Sequence, residues 1–212
     1  EDCDGDIDDA WWVGDGADGA LKVSGSTSLM DSGDIVVYGV AAISGADITA
    51  DDTVSGIAAG DEVLILNVHG SDTAYASVGV YEFGEVSGVS GSTITLTSSV
   101  GGTYGEASNS DLSDQTIIVQ RVPNFTTVDV EATGVLTTDA WDGSTGGVLA
   151  FRATEAVTIE AGGRIAVSEA GYAGGATGST YNCDAYQGES YAGEGEGDGD
   201  GDCSAYNESY GH

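Results

Sequence analysis

The chain has 212 residues, of which 40% are hydrophobic, so it is long enough to bury a real core and is not an acidic random coil. Its 36 Asp and Glu residues stand against four Lys and Arg, which gives a formal net charge of −32. This charge excludes nucleic acid and anionic membrane surfaces as partners, because a polyanion cannot release counterions from phosphates and is repelled by acidic lipids.

The same charge predicts the solvent in which the protein works. Self-repulsion on this scale destabilises a compact state in dilute buffer, so we expect either salt or a divalent cation to offset it. The four basic residues include a single lysine, Lys22. This composition is typical of a halophile's protein surface, and an acidic surface layer loaded with calcium is the alternative.

Residues 1–19 are predicted to form an acidic N-terminal arm. Two adjacent tryptophans, Trp11 and Trp12, follow its acidic cluster. They either fold back onto the core of this protein or dock on a neighbouring subunit by strand addition. Because the chain opens at Glu1 without a methionine and shows no signal peptide or transmembrane run, we expect a mature or trimmed product of a longer exported parent.

Residues 20–122 read as an antiparallel β-sandwich or barrel-like meander. Short apolar, β-branched runs separated by Gly, Ser, Asp and Asn predict strands and hairpins. The clearest hairpin joins Tyr81–Val86 to Ser92–Thr97, where Ile94 and Leu96 alternate with threonines as in a strand with one wet face. The predicted strands cover residues 20–30, 34–40, 62–68, 78–87, 92–97 and 115–121.

Residues 123–170 change character after the single proline, Pro123, which is expected to end a strand because it cannot donate to a ladder. Strand-like runs then recur about every 8 to 12 residues with Gly or Asp in the turns. This rhythm predicts coils of a β-solenoid, with a second sandwich as the alternative. The whole protein is therefore predicted to be all-β.

Residues 171–212 form a Gly-, Tyr- and Asp-rich segment that cannot bury enough apolar area to order itself. Cys183 and Cys203 bracket most of its acidic part, so a disulfide between them is the economical interpretation and indicates an oxidising compartment. Cys3 is left over: it pairs with another chain, stays free or marks a lipid-bearing N-terminus. Metal ligation by the cysteines is disfavoured because they form no C-x-x-C pair.

Two acidic clusters have carboxylates at alternate positions, the oxygen-rich arrangement that calcium prefers. Neither is an EF-hand, because the sixth position counted from the first aspartate of each cluster is Asp9 or Cys203 rather than glycine. The competing interpretation is a solvated acidic run on a salt-adapted surface. The candidate calcium ligands are Asp4, Asp6, Asp8, Asp198, Asp200 and Asp202.

No catalytic constellation stands out. His69 lies at a strand end with no cysteine nearby and no nucleophile-elbow serine, so we expect an exposed turn histidine. Paired carboxylates are too common here to indicate a glycosidase, and the Gly-rich stretches lack the Lys-Ser/Thr of a phosphate loop. Asn124 and Asn207 begin N-x-S/T sequons in predicted loops and are candidate glycosylation sites. No cofactor other than calcium is expected.

Several segments together resemble large glycine-rich exported proteins, namely adventurous-gliding-motility-type proteins, adhesins and phage tail or fibre components. The resemblance covers most of residues 55–192, and its most specific pieces are Gln120–Pro123 and Trp141–Gly147. It implies an extracellular, non-catalytic role, with Gly60 and Asp61 opening a buried strand and Trp141–Gly147 forming a tight turn. The heavy Asp and Glu content and the Asp-Gly repeat depart from the plainer polyglycine of these proteins. The remaining segments that carry it are Gly60–Leu66, Tyr81–Val86, Gly91–Leu96, Val119–Val128, Ala140–Ala150 and Gln187–Tyr191.

Three functions follow from these features. The first is an extracellular structural or adhesive protein that forms or decorates a surface filament or layer. The second is a tail or fibre protein of a virion that binds a halophilic host, and the third is a polysaccharide-active enzyme built on a β-solenoid. The first two predict self-association or contact with other surface or virion subunits, and a glycan or host-surface receptor. The location is accordingly extracellular or cell-surface, or else the virion.

Overall fold

The computed structural model describes residues 14–71, 73–173 and 190–192, and this part of the chain is all-β, as predicted. It contains twelve strands, no helix, and hence no helix that could cross a membrane. The strands are β1 Gly19–Val23, β2 Ser26–Ser28, β3 Val37–Ser44, β4 Asp47–Ala50, β5 Glu62–His69, β6 Tyr81–Ser90, β7 Thr93–Leu96, β8 Thr116–Val122, β9 Asn124–Val130, β10 Val135–Thr137, β11 Arg152–Ile159 and β12 Arg164–Ile165.

Six antiparallel strands close into a small barrel in the order β3-β4-β7-β6-β5-β8. Alternation along each strand decides which side chains fill it. On β5, Val63 and Ile65 are fully buried in the barrel core, and on β7, Ile94 occupies the same core. The predicted meander is thus a closed barrel, and closure removes the sheet edges that would otherwise be open to aggregation.

The predicted hairpin is confirmed with a tighter turn than expected. β6 continues to Ser90, which pairs with Thr93 across Gly91 and Ser92. Gly91 has φ of 62°, a left-handed conformation that glycine adopts without penalty. The sequence patterns did not predict β4, in which only Ile48 and Thr49 favour a strand; in the barrel it is held by pairing with both β3 and β7.

The remaining strands form a parallel stack of three coils. β1, β9 and β11 lie side by side in one sheet, and β2, β10 and β12 form a second sheet in the same coil order. Side chains in register build columns, such as Val23, Val130 and Ile159. The inward positions of the first two coils are filled by Val23, Phe125, Val128 and Leu136, all buried. The solenoid-like architecture predicted for the later region is therefore present.

The barrel is an insertion between the first and second coils. The chain leaves coil one after Ile35, forms the barrel and returns through Pro123 into coil two. The two ends of the insertion lie side by side because the first and last barrel strands, β3 and β8, are antiparallel neighbours, with Val37 opposite Gln120. β1 and β2, which the sequence analysis grouped with the barrel strands, pair with strands that follow Pro123.

One corner of each coil carries a glycine in the same register position. Gly134 precedes β10 and Gly163 precedes β12, and a Cβ on either would meet a backbone carbonyl of the preceding coil, Val23 O at 2.3 Å or Glu131 O at 2.5 Å. No larger residue fits where two backbones approach this closely. The corner therefore sets the spacing of the coil stack.

Candidate functional site

The barrel is fixed to the solenoid by an ion-pair network around Arg121 on β8. The Nη2 of Arg121 lies 2.7 Å from Asp18 Oδ1 of the first coil and 2.9 Å from Asp61 Oδ1 of the barrel. Its Nη1 donates to the carbonyl of Asp34. Burial works to lower the pKa of Arg121, but the bonds to Asp61 and Asp18 outweigh it and raise that pKa. The guanidinium is held as a cation between the two units.

Arg152 makes the second half of this junction from coil three. Its Nε and Nη2 donate to the two carboxylate oxygens of Glu62 on β5, at 2.7 Å and 2.6 Å, in a bidentate pair. Its guanidinium carbon also lies 4.7 Å from the ring centroid of Phe83. The bond to Glu62 raises the pKa of Arg152. Two of the four basic residues of the chain thus connect barrel and solenoid.

The outer face of the barrel on β5 and β8 is buried. On β8, Ile117 and Val119 face the barrel core, whereas Ile118 and Gln120 face outward and are nevertheless 0% and 1% exposed. Leu64, opposite Gln120 on β5, is buried in the same way. Among the described residues, this side of the barrel is linked to the coils by the two arginine networks, Arg121 with Asp18 and Arg152 with Glu62.

An aromatic cluster continues the contact at the end of β5. The rings of His69, Trp141 and Tyr172 lie 5.8 to 6.2 Å apart, and the Tyr172 hydroxyl donates to the carbonyl of Val68. His69 is half-buried between these rings, so the expectation of an exposed turn histidine is wrong. The sequence could not indicate this, because Trp141 and Tyr172 are distant along the chain.

Trp141 itself opens the tight turn that the sequence resemblance implied. Asp142 Oδ1 accepts hydrogen bonds from the amides of Ser144 and Thr145, both at 2.8 Å. These backbone bonds hold the pKa of Asp142 below its ordinary value. The turn lies against the next coil, where the amide of Trp141 donates to the carbonyl of Ala170. The segment therefore positions the Trp141 ring against His69 and Tyr172.

Exposed tyrosines surround the barrel end where β5 ends and β6 begins. Tyr75 is 48% exposed, Tyr81 63% and Tyr191 49%. Tyr75 and Tyr191 meet edge to face at 6.0 Å, and the carbonyl of Tyr191 accepts from Gly70 next to His69. Tyr81 packs edge to face on Phe83. We name Tyr75, Tyr81 and Tyr191 the tyrosine surface.

Most of the residues predicted as sites lie outside the described residues. These are the six candidate calcium ligands Asp4, Asp6, Asp8, Asp198, Asp200 and Asp202, the cysteines Cys3, Cys183 and Cys203, and the sequon residue Asn207. Within the described ranges, no group of three or more His, Cys, Asp or Glu side chains could hold a metal ion. Calcium binding, the disulfide and the glycan at Asn207 stay predictions.

Asn124 is the one predicted site residue that the structure describes. It begins β9 rather than lying in an exposed loop, and it is 8% exposed. Its side-chain Nδ2 donates to the carbonyl of Val122 at 2.9 Å and to Glu62 at 3.3 Å. Its backbone amide donates to a carboxylate oxygen of Asp18. The loop placement was wrong. A glycan at this nitrogen stays a prediction; it would leave Nδ2 with a single N–H, so at least one of the two side-chain bonds would have to break.

The sequence analysis missed the arginine junction. The one available signal was that basic residues are scarce. In a chain with four Lys and Arg against 36 Asp and Glu, each arginine is expected to lie near carboxylates, and arginine is the residue best suited to partly buried ion pairs. The sequence could not identify the partners, since Asp18, Asp61 and Glu62 are three of many acidic residues.

Comparisons with known proteins give structural matches only. No family model and no curated protein matches the chain. The similar solved structures include the tailspike gp49 of Pseudomonas phage LKA1, at 23% identity and a TM-score of 0.29 over 50% of this chain and 17% of the tailspike. They also include tailspike gp61 of Pseudomonas phage phi297, at 20% identity and a TM-score of 0.31 over 49% of this chain and 16% of the tailspike.

A third match is the tailspike Gp54 of Acinetobacter baumannii bacteriophage AP22, solved in complex with A. baumannii capsular saccharide. It shows 14% identity and a TM-score of 0.29 over 57% of this chain and 24% of the tailspike. The chain thus spans less than a quarter of the length of each of these proteins. All three fall in the phage tail or fibre group that the sequence resemblance named, and none in its gliding-motility or adhesin group. Neither activity nor partner carries over at this level of similarity.

Proposed function

We propose that the chain is an adhesive segment of a fibre that acts outside the cell, with the solenoid as shaft and the barrel as a fixed side domain. The single observation that carries this is the insertion itself. Arg121 and Arg152 tie the barrel to the coils, and this anchoring favours one orientation of its exposed surface along the shaft. Such an arrangement suits attachment, where binding is gained from a preorganised surface.

The tail or fibre of a virion is the carrier that we propose, and a cell-surface filament or layer is the second. The two most specific segments of the sequence resemblance to glycine-rich exported proteins, a group that includes phage tail or fibre components, fall at structural joints. Gln120–Pro123 returns the chain from barrel to solenoid, and Trp141–Gly147 makes the turn on which the aromatic cluster is built. The most specific parts of the sequence resemblance therefore lie where the barrel joins the solenoid and where the aromatic cluster is built.

The tyrosine surface is the receptor site of this proposal, and its ligand class is a glycan. Tyrosine offers an apolar ring face to the C–H face of a sugar and a hydroxyl for hydrogen bonding, at a low cost in side-chain entropy. The net charge of −32 repels acidic polysaccharides, so neutral glycans are the preferred ligands at low ionic strength. We propose a binding role without catalysis.

Binding of the intact chain to a panel of neutral and acidic polysaccharides tests this function. We expect saturable binding to a neutral member, and a loss of about tenfold or more in affinity when Tyr75 and Tyr81 are both replaced by serine. Val167→Ser is the matched control, because Val167 is 45% exposed on the solenoid. Equal binding by the double variant would contradict the tyrosine surface.

The same panel also tests for catalysis. Release of reducing ends from the bound polysaccharide would assign a cleaving enzyme in place of an adhesin.

Calcium, which we propose as the ligand of the two acidic clusters, is expected to raise the melting temperature of the chain at low ionic strength, and a chelator is expected to reverse this. If only molar salt stabilises the chain, the clusters are solvated surface.

A further inference from the structure

An exposed carboxylate adjoins the tyrosine surface. The Oε2 of Glu106, in the loop between β7 and β8, accepts a hydrogen bond at 3.2 Å from the amide of Ala76, which follows Tyr75. Glu106 is exposed, and within the described part of the chain its Oε1 accepts no hydrogen bond and neither oxygen forms an ion pair. One carboxylate oxygen is thus fixed beside the tyrosine surface, and the other is available to a ligand.

The loop between β5 and β6, which carries Tyr75, is held in place by the loop that carries this carboxylate. The Nε2 of Gln115 donates to the carbonyl of Ala74 at 2.7 Å. The hydroxyl of Ser77 donates to the carbonyl of Gly105, also at 2.7 Å. Bonds on both sides of Tyr75 therefore hold its backbone in place relative to the carboxylate, and such preorganisation lowers the entropy cost of binding.

Tyr191 supplies a second aromatic ring beside the first. Its ring meets that of Tyr75 edge to face, with the centroids 6.0 Å apart and the planes inclined at 75°. Each of these side chains is about half exposed. Exposed tyrosine faces attract cations because the ring quadrupole is negative above the plane, and an adjacent carboxylate adds a full negative charge. Aromatic rings with a carboxylate next to them are the chemical features that recognise a protonated amine.

We propose that Tyr75, Tyr191 and Glu106 form a subsite for a protonated amino group, so that the glycan recognised by the tyrosine surface carries free amino sugars. The inference rests on the proposed glycan-binding function and names its ligand class. The carboxylate accepts a hydrogen bond from the ammonium group, and the tyrosine rings contact the cation and the sugar. Neutral glycans bind the same surface without the charged contact and with lower affinity.

The distribution of basic residues supports this ligand class. The chain has four of them, Lys22, Arg121, Arg152 and Arg164, which lie on the solenoid or at its junction with the barrel. None of them pairs with Glu106 in the part of the chain that the structure describes. The net charge of −32 that ranks neutral glycans above acidic ones also ranks basic glycans above neutral ones.

Glu106→Gln tests the carboxylate while keeping its contact with the tyrosine loop. The amide of Ala76 needs an acceptor, so the new side chain turns its oxygen to Ala76 and its NH2 group to the ligand. An ammonium group can only donate, and in this variant it meets another donor, whereas a sugar hydroxyl can turn to accept. The variant is expected to keep its melting temperature and to lose more affinity for an amine than for a neutral sugar.

Oligosaccharides of glucosamine and their N-acetylated counterparts are the matched probes, because acetylation removes the charge and keeps the sugar ring. At a pH at which the amines are protonated, calorimetry is expected to show that the unmodified chain binds the amine form about tenfold more tightly. Glu106→Gln is expected to abolish this preference. Glu155→Gln is the control, because it removes the same charge from an exposed position on β11 and is expected to retain the preference.

Equal binding of the two forms by the unmodified chain would overturn the amino-group subsite and leave the glycan function standing. Equal loss of the preference in Glu106→Gln and Glu155→Gln would also overturn it, because the preference would then come from net charge. If Glu106→Gln lowers the melting temperature, Tyr75→Leu replaces it and is expected to remove the preference through loss of the ring. Binding of neither form would overturn the subsite, and only failure across the whole polysaccharide panel would remove the function itself.

Discussion

Replacing Arg121 by methionine is expected to lower the free energy of unfolding by about 3 kcal/mol. The substitution keeps the length and apolar volume of the side chain but leaves Asp18 and Asp61 without their cation, and both carboxylates are largely shielded from water. Two like charges near each other then oppose docking of the barrel on the first coil. Urea-induced unfolding at constant salt measures the change.

Lys22→Met is the matched control for this prediction. This variant also removes the cation of an ion pair, that of Lys22 with Glu131, but the lysine side chain is 69% exposed. Exposed pairs contribute little, so we expect no loss of stability that the same urea experiment can resolve. Equal losses for the two variants would show that Arg121 acts through overall charge rather than through the junction.

Replacing Gly134 by alanine is expected to cost about 1 to 3 kcal/mol, a magnitude typical of forced overpacking. The new Cβ would lie 2.3 Å from Val23 O and 3.0 Å from Val130 Cγ1, and a backbone carbonyl cannot move aside as a flexible side chain can. Relief requires coils one and two to separate along the β1–β9 ladder. The melting temperature and the urea midpoint both report it.

Gly25→Ala provides the control at the equivalent corner of coil one. No described atom lies within 4 Å of its added Cβ, so the monomer is expected to keep its stability, or to gain slightly from the lower entropy of its unfolded chain. A large loss at Gly25 would mean that the corner glycines serve backbone conformation rather than close approach. A small loss at Gly134 would mean that the coils are packed more loosely than the structure shows.

Local pattern was enough for the fold class and for most strands. Runs such as Val63–Ile65 and Ile117–Val119 carry apolar residues on both faces, and both proved to be buried on both faces. β4 escaped prediction because its stability comes from its two neighbours. Strand pairing was beyond reach for a similar reason: Leu21 pairs with Val128 across the whole barrel, and no local signal specifies so distant a partner.

The candidate site was less accessible to sequence reasoning than the fold. The acidic runs attracted attention because they are conspicuous, whereas the contacts that join barrel and solenoid use single residues spread over the chain, such as Asp18, Glu62 and Arg152. Asn124 illustrates the difference. As a sequon it predicts a surface loop, but its amide and side chain bind the junction, a role that only the tertiary arrangement defines.

Immunogold electron microscopy with antibodies against the folded chain tests most directly the central claim, that this is an adhesive fibre segment acting outside the cell. We expect label on the tails or fibres of virions, or, for the second carrier, along filaments on intact cells. Label confined to the interior of cells, with none on virions or on the cell surface, would contradict the account.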